Sequence, residues 1–265
     1  MEAKINEKIN EKIKACIFDL DGTLTDTLTS IAYSTNRMLM KEGLKPLPRE
    51  NYRFYAGNGA AELVKACLRD TARMDKDALM QADPGTPGAG EKLQRDPDAL
   101  LHDPKEAEDF PYYYKRYLDE FSQFCMYQVK AFDGIKEALT ALKQNGVRIA
   151  VLSNKPDAQV QDVVGQVFGN DFFDEVRGQR EGVPRKPSPV GALQIAEHFG
   201  VRPAECLYFG DTDTDMQTGT AAGMHSVGVL WGFRSREELL NNHAVSILEK
   251  PAEILELFKK INRSS

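Results

Sequence analysis

The most constraining feature of this sequence is a series of short apolar runs, each of which ends close to a polar residue, a glycine or a proline. Such runs are typical of strands that a parallel sheet buries on both faces. Helix-like stretches separate the runs, and several end at a glycine, as helices often do. Strands that alternate with helices predict an α/β protein with a Rossmann-like parallel sheet. The predicted strands are residues 15–18, 147–152, 206–209, 226–230 and 244–248, and the predicted helices of this core are residues 134–145, 156–167, 189–199, 214–222 and 251–260.

A long segment between the first and second strands interrupts this alternation. It has helical character in three stretches, residues 28–42, 59–69 and 109–126, and it contains no convincing buried strand. We therefore predict an inserted all-α domain. Within it, residues 70–108 match no recognisable pattern, and residues 83–90 have the composition of a loop. The predicted boundaries are 12–27 and 130–262 for the α/β core, 28–129 for the helical insertion and 1–11 for an N-terminal extension.

Charge and cysteine content narrow the range of functions. The formal net charge of −6 disfavours nucleic acid or an anionic membrane surface as the main partner. The four cysteines are far apart and form no CxxC pair, which favours free buried thiols over disulfides or a zinc site. The N-terminus lacks the apolar core of a signal peptide, and no apolar run is long enough to span a bilayer. We expect a cytoplasmic monomer or homodimer.

Polar residues cluster just beyond the predicted strands, where ligands bind in parallel α/β sheets. This set combines several carboxylates with one hydroxyl and one ammonium group. Carboxylate oxygens are preferred ligands of Mg²⁺, while a hydroxyl and an ammonium can bind phosphate oxygens. Asp213 is more typical of a solvated loop acid and is left out of the predicted metal site. The residues of the set are Asp19, Asp21, Ser153, Asn154, Lys186, Asp211, Asp213 and Asp215.

Asp19 and Asp21 are spaced so that their side chains point the same way in an extended segment. Two carboxylates this close cannot ionise alike without help. A cation on Asp19 would keep it ionised and nucleophilic, while Asp21 would keep a proton and act as a general acid. Gly22 allows the backbone to turn away sharply, and N–H groups in such a turn can face phosphate oxygens.

Four motifs of this chain resemble those of the haloacid dehalogenase superfamily, in the same order and with similar spacing. The helical insertion resembles the four-helix type of cap in that superfamily. Two further stretches resemble its phosphoglycolate-phosphatase-like members. The motifs are Asp19-Leu20-Asp21-Gly22-Thr23, Ser153-Asn154-Lys155, Lys186-Pro187 and Gly210-Asp211-Thr212-Asp213-Thr214-Asp215, and the two stretches are residues 55–63 and 228–233.

The resemblance implies a magnesium-dependent phosphatase. Asp19 would attack phosphorus and form an aspartyl-phosphate. Asp21 would protonate the leaving oxygen and then deprotonate the water that cleaves the intermediate. Mg²⁺ would be held by the Asp19 carboxylate, the Asp21 main-chain carbonyl and Asp211, with Asp215 assisting.

The resemblance also implies which residues bind the substrate, a small phosphate ester with 2-phosphoglycolate as the leading candidate. The phosphate would contact the Ser153 hydroxyl, the Asn154 main chain and the Lys186 ammonium. Main-chain groups of the turn at Gly22 and Thr23 would complete this site. The loop Gly57-Asn58-Gly59 would face the active site and set specificity.

Several alternatives stay open at this level. A sugar-phosphate mutase shares the cap type and the motifs, and so does a phosphonate hydrolase, which recruits a cap lysine for a Schiff base. The cap contains Lys41, Lys45 and Lys65, and nothing in the sequence marks one of them. A dehalogenase is less favoured, because its chemistry does not need the leaving-group acid that Asp21 provides. A non-catalytic phosphate-binding protein represents a different class.

Simpler interpretations exist for individual residues. The first motif alone is compatible with a helix-capping turn or a calcium loop. Gly57-Asn58-Gly59 could be only a helix N-cap turn. Arg53 fits a surface arginine better than a ligand for a substrate carboxylate. The aromatic residues of 110–124 are more often helix core than substrate contacts.

Overall fold

The apolar runs of the sequence form a parallel sheet in the computed structural model, which describes residues 11–81 and 109–264. The predicted extension 1–11 and the segment 70–108 therefore lie largely outside the described residues. The strands are β1 (Ala15–Phe18), β2 (Thr25–Asp26), β3 (Lys130–Ala131), β4 (Arg148–Pro156), β5 (Glu175–Gln179), β6 (Cys206–Gly210), β7 (His225–Val229) and β8 (Ser246–Leu248).

Helices cover the sheet and fill the insertion, as the alternating pattern predicted. The helices of the insertion are α1 (Leu28–Lys41), α2 (Tyr52–Tyr55), α3 (Ala60–Gln81) and α4 (Phe110–Phe124). Those that follow in the core are α5 (Ile135–Gln144), α6 (Asp157–Val167), α7 (Val190–Phe199), α8 (Asp213–Ala221), α9 (Arg236–Asn241) and α10 (Glu253–Ser264), and short 3-10 turns occupy Arg49–Asn51 and Pro203–Glu205.

Six strands pair in the order β5-β4-β1-β6-β7-β8, and every neighbouring pair is parallel. The predicted α/β fold class is confirmed. Strand β5 was missed, because its sequence Glu-Val-Arg-Gly-Gln at the sheet edge is only half-buried and contains no apolar run. The predicted end of the second strand at Leu152 was too early, since β4 continues to Pro156 through an irregular register.

Alternate residues of the central strands pack into two separate apolar layers. In β1, Cys16 and Phe18 join the layer formed with α5, α6 and α10, while Ala15 and Ile17 join the layer formed with α7. All four are fully buried. This burial on both faces explains why β1 is a continuous apolar run and not an alternating one.

The inserted helices pack around an apolar core of their own, to which Tyr113, Tyr117 and Phe121 of α4 contribute. The interpretation of these aromatic residues as helix core is therefore confirmed, although two of them also reach the site described below. Where the chain enters and leaves the insertion, β2 and β3 pair antiparallel. The exact domain boundaries stay a prediction.

The predicted state of the cysteines is confirmed, since all four thiols are free and buried. Within the described ranges, no helix combines the length and the apolar character that crossing a bilayer requires.

Replacing Leu139 by Ala should lower the free energy of unfolding by about 2–5 kcal/mol. Leu139 is fully buried in the layer beneath α5, so the substitution leaves a cavity among side chains that cannot close it. Urea titration followed by circular dichroism measures the change. The control is Glu137→Ala on the exposed face of the same helix, which should change the free energy of unfolding by about 0.5 kcal/mol at most. Equal effects of Leu139→Ala and Glu137→Ala would contradict the assignment of Leu139 to this buried layer.

Candidate active site

The two central strands bring two acidic residues to the same edge of the sheet. Phe18 at the end of β1 pairs with Phe209 of β6, and the Asp19 main-chain N–H donates to the Phe209 carbonyl at 2.9 Å. Asp211 directly follows the end of β6. Because neighbouring parallel strands end at the same level, the side chains of Asp19 and Asp211 emerge next to each other.

Asp19, Asp211 and Asp215 form a buried acidic cluster. One carboxylate oxygen of each lies within 4.8 Å of the others. Burial raises the pKa of Asp19 to about 7, and the negative charge of Asp215 adds to that shift. Burial also raises the pKa of Asp211 well above its usual value, with smaller contributions from Asp215 and Asp19. The fold therefore holds these carboxylates together against both desolvation and mutual repulsion.

Lys186 offsets part of this charge. Its Nζ lies 2.9 Å from Asp19 Oδ1 and 2.7 Å from Asp215 Oδ1. Burial opposes the charged form of Lys186, but the two carboxylates outweigh it and hold its pKa above the usual value. One ammonium beside three carboxyl groups leaves an excess of negative charge when all are ionised. A set of oxygen donors with that excess fits a hard divalent cation.

Asp211 is held in place by one donor on each of its oxygens. The Thr23 hydroxyl donates to Oδ1 and the Phe233 main-chain N–H donates to Oδ2, both at 2.8 Å. The Thr23 hydroxyl thus contacts Asp211, and phosphate binding by main-chain groups of Gly22 and Thr23 stays a prediction. Gly22 has a φ of +86°, and a Cβ there would lie 2.3 Å from Asp211 Oδ2. The close approach of the first and fourth motifs therefore requires glycine at this position.

Asp215 has a structural contact as well as its place in the cluster. Its Oδ2 accepts hydrogen bonds from the Thr212 main-chain N–H at 3.1 Å and from the Thr212 hydroxyl at 2.6 Å. Thr212 is the N-cap of α8, so these bonds form part of a capping box. Asp213 lies outside the cluster, and its side chain is about one-third exposed. Its Oδ1 lies 3.9 Å from Arg234 Nε.

A cavity of about 40 Å³ lies between the carboxyl ends of the strands and the inserted helices. The strand ends provide the polar part of its wall and the insertion provides mainly apolar and glycine surface. The lining includes Asp19, Asp21, Ser153, Asn154 and Lys155 from the core and Gly57, Gly59, Leu63, Tyr117 and Phe121 from the insertion.

Ser153 and Asn154 lie within the final part of β4. The Ser153 hydroxyl accepts a hydrogen bond from the Lys155 main-chain N–H at 3.2 Å. The Asn154 side chain donates to the carbonyls of Gly57 and Lys186, both at 3.0 Å, and accepts from the Lys186 N–H at 2.9 Å. Asn154 therefore joins three segments of the site. Phosphate binding by Ser153, Lys186 and the Asn154 main chain stays a prediction.

The loop Gly57-Asn58-Gly59 lies against the core. Gly57 and Gly59 line the cavity, and Asn58 Oδ1 accepts a hydrogen bond from the Thr214 hydroxyl at 2.7 Å. Gly59 also directly precedes α3, so the loop is both a helix start and part of the cavity wall. The Arg53 side chain donates a hydrogen bond to the Gly232 carbonyl at 2.6 Å, and so contacts a loop of the core.

Two residues of the site received no role from the sequence. Arg234 is buried and donates to the main-chain carbonyls of Arg53, Phe54 and Ala56, where α2 ends. The sequence feature that could have indicated a role for Arg234 is its position directly after the stretch 228–233. Lys155 belonged to the second motif, and its Nζ lies 2.6 Å from Asp21 Oδ1. The sequence feature that could have indicated a role for Lys155 is its position directly after the serine and asparagine at the end of a strand.

With this geometry established, comparison with known proteins identifies the class. The chain belongs to the family of haloacid dehalogenase-like hydrolases, whose family model matches residues 16–229. The resemblance inferred from the four motifs is therefore confirmed.

Its relatives include phosphoglycolate phosphatases. The chain is 30% identical over 250 residues to that of Nitrosospira multiformis, covering 94% of this chain and 96% of the relative. It is 29% identical over 249 residues to the phosphoglycolate phosphatase of Mannheimia succiniciproducens, a match that covers 94% of this chain and 100% of the relative. A crystal structure from Lactobacillus delbrueckii subsp. bulgaricus, of a protein predicted to be a phosphoglycolate phosphatase, matches with a TM-score of 0.74 at 26% identity and covers 94% of this chain and 99% of that one.

Gly22→Ala should abolish any reaction at this site, because the added methyl group would displace the Asp211 carboxylate. Gly43→Ala is the matched control, since Gly43 also has a positive φ but a methyl group there would meet no atom within 4 Å. The control should lose about 1 kcal/mol of stability from backbone strain and keep its activity. Phosphate release and thermal unfolding of both variants are the measurements. Equal activity losses would contradict the crowding at Asp211.

Metal-free protein should lose stability as the pH rises from about 4 to about 7. The pKa of Asp19 is about 3.9 in an unfolded chain and about 7 in the folded one. The folded state therefore binds more protons in this range, and the stabilising contribution of protonated Asp19 is complete below the lower value and lost above the higher one. Melting temperatures between pH 5 and 8 in a chelator measure this. Asp19→Asn should flatten the slope, and an unchanged slope would contradict the raised pKa.

Proposed function

We propose that the protein hydrolyses a small phosphomonoester, with 2-phosphoglycolate as the leading candidate, through an aspartyl-phosphate on Asp19. One observation carries the proposal. Asp19 lies at the wall of the cavity beside Asp21 and belongs at the same time to the buried cluster with Asp211 and Asp215. A nucleophile, an acid and a site for positive charge therefore meet at one point, as phosphoryl transfer requires.

The cluster is suited to Mg²⁺, because its donors are all carboxylate oxygens. The residues that would hold the ion are Asp19, Asp211, Asp215 and the main-chain carbonyl of Asp21. A bound Mg²⁺ would supply charge neutralisation for the phosphoryl oxygens. Lys186 already contributes one positive charge at Asp19 Oδ1.

The two aspartates divide the reaction between them. An Asp19 carboxylate oxygen attacks phosphorus, and the bond from phosphorus to the ester oxygen breaks as Asp21 gives that oxygen a proton. A water molecule then attacks the phosphorus of the aspartyl-phosphate while Asp21 takes its proton. The bond between phosphorus and the Asp19 oxygen breaks, phosphate leaves, and both aspartates return to their starting states.

The insertion supports hydrolysis of a small substrate. The cavity beneath it is small, at about 40 Å³, and an insertion that covers it can exclude bulk water from the reaction. The phosphonate hydrolase alternative gains no support, because the described lining of the cavity contains none of Lys41, Lys45 and Lys65. The phosphoglycolate phosphatase relatives favour 2-phosphoglycolate among small esters.

Asp19→Asn should lower kcat for phosphate release by at least about 10³-fold, since the amide cannot act as the nucleophile. Activity of the unaltered protein should depend on added Mg²⁺ and disappear in a chelator. The assay measures inorganic phosphate from 2-phosphoglycolate, sugar phosphates, nucleotides and pyrophosphate.

Asp213→Asn is the matched control, because Asp213 belongs to the same motif as Asp211 but lies outside the cluster. It should change kcat by no more than about threefold. Full activity of Asp19→Asn, or activity that survives chelation, would contradict the mechanism. Isomerised product without free phosphate would favour a mutase instead.

A further inference from the structure

The most informative side chain that the proposed mechanism does not use is Lys155. Its side chain is only 3% exposed, and it lines the cavity next to Asp21. The ammonium lies 2.6 Å from Asp21 Oδ1 and 5.0 Å from the centre of the Phe121 ring. Lys155 therefore places a desolvated positive charge between the acid of the core and an aromatic residue of the insertion.

The hydrogen-bonding capacity of this ammonium exceeds the contacts that the structure gives it. A lysine ammonium has three N–H donors, and the described acceptor for them is the single oxygen of Asp21. The aromatic face of Phe121 offers electrostatic attraction but no oxygen acceptor. Leaving donors of a buried charge without acceptors is unfavourable, so an anion that entered the cavity would gain from meeting them.

The other described cations near the site each contact a carboxylate, as Lys155 does, but none of them lines the cavity. Lys186 contacts Asp19 and Asp215, and both Lys65 and Arg185 contact Glu62. Among the described residues that line the cavity, Lys155 is the cation. A negatively charged part of a substrate, other than the transferring phosphoryl group, would therefore meet Lys155.

We propose that Lys155 is the specificity residue of this site and binds a second anionic group of the substrate, a carboxylate on the carbon next to the ester oxygen. The inference rests on the proposed phosphatase function and specifies its substrate class. Asp21 has to reach the ester oxygen to protonate it, and Lys155 touches Asp21. A group attached one carbon away from that oxygen therefore falls within reach of the ammonium.

The same geometry couples recognition to the reaction. Without substrate, the ammonium contacts the side chain of Asp21, the residue that has to protonate the leaving oxygen. A substrate carboxylate would replace Asp21 as the partner of Lys155, and Asp21 would then be released toward the ester oxygen. A substrate that lacks the second anion would leave this pair intact and react more slowly.

The experiment compares 2-phosphoglycolate with 2-hydroxyethyl phosphate, which has the same chain length but carries a neutral hydroxymethyl group in place of the carboxylate. The unaltered protein should prefer 2-phosphoglycolate in kcat/KM by about 10- to 100-fold. Lys155→Met keeps the length of the side chain and removes the charge. It should lower kcat/KM for 2-phosphoglycolate by about 10- to 100-fold, mainly through KM, without lowering that for 2-hydroxyethyl phosphate.

Lys65→Met is the matched control, because Lys65 is also a buried lysine that pairs with one carboxylate and lies over an aromatic ring. It should leave the ratio between the two substrates unchanged. Lys155→Arg should retain part of the preference, since it retains the charge. Circular dichroism establishes that each variant is folded, and the ratio for the unaltered protein tests the inference even if Lys155→Met fails to fold.

The outcomes separate the inference from the proposed function. If the unaltered protein hydrolyses both esters equally well, or if Lys155→Met lowers both values by the same factor, Lys155 only supports Asp21 and the inference is wrong while the phosphatase function stands. If the unaltered protein releases phosphate from no ester of the panel, the proposed function fails, and the inference fails with it.

Discussion

The contact on which this site depends is the one between the Lys186 ammonium and the carboxylates of Asp19 and Asp215. Three acidic side chains converge where the central strands end, and burial raises the pKa of two of them, Asp19 and Asp211. The Lys186 ammonium contacts Asp19 and Asp215, opposes the rise in the pKa of Asp19, and offsets only part of the negative charge of the cluster. Lys186 is itself positioned by Asn154 through two hydrogen bonds. Asp19, the rest of the acidic cluster and the second motif therefore form one connected electrostatic unit.

Polar side chains of the core join the insertion to this unit. Arg234 binds carbonyls at the end of α2, Asn154 binds the carbonyl of Gly57, and Thr214 binds the side chain of Asn58. Each of these core residues is close in sequence to a residue of the site. A movement of the insertion would therefore change the contacts of core residues that lie beside the site.

Much of the fold and of the site was readable from the sequence because both depend on local pattern. Continuous apolar runs mark strands buried on both faces, so β1 and β6 were predicted correctly, and the polar residues that follow them had to converge. Strand β5 was not readable, since an edge strand needs little apolar surface. The thiols were predicted to be free and buried from their wide spacing and from the apolar runs that contain Cys16 and Cys206. Lys155 was visible as part of a motif, but its contact with Asp21 joins residues that are 134 positions apart.

The sequence by itself determined the α/β class, the inserted helices and the identity of the acidic residues, because strand periodicity and the order of motifs are properties of neighbouring residues. The tertiary structure decided how those residues are used. It directed the Thr23 hydroxyl to Asp211, placed Lys186 between two carboxylates, turned Arg53 toward the core and brought Arg234 and Lys155 into the site. The physical reason is that burial and the distances between charges exist only once distant segments are packed together, and these quantities determine which groups are ionised, paired or exposed to a substrate.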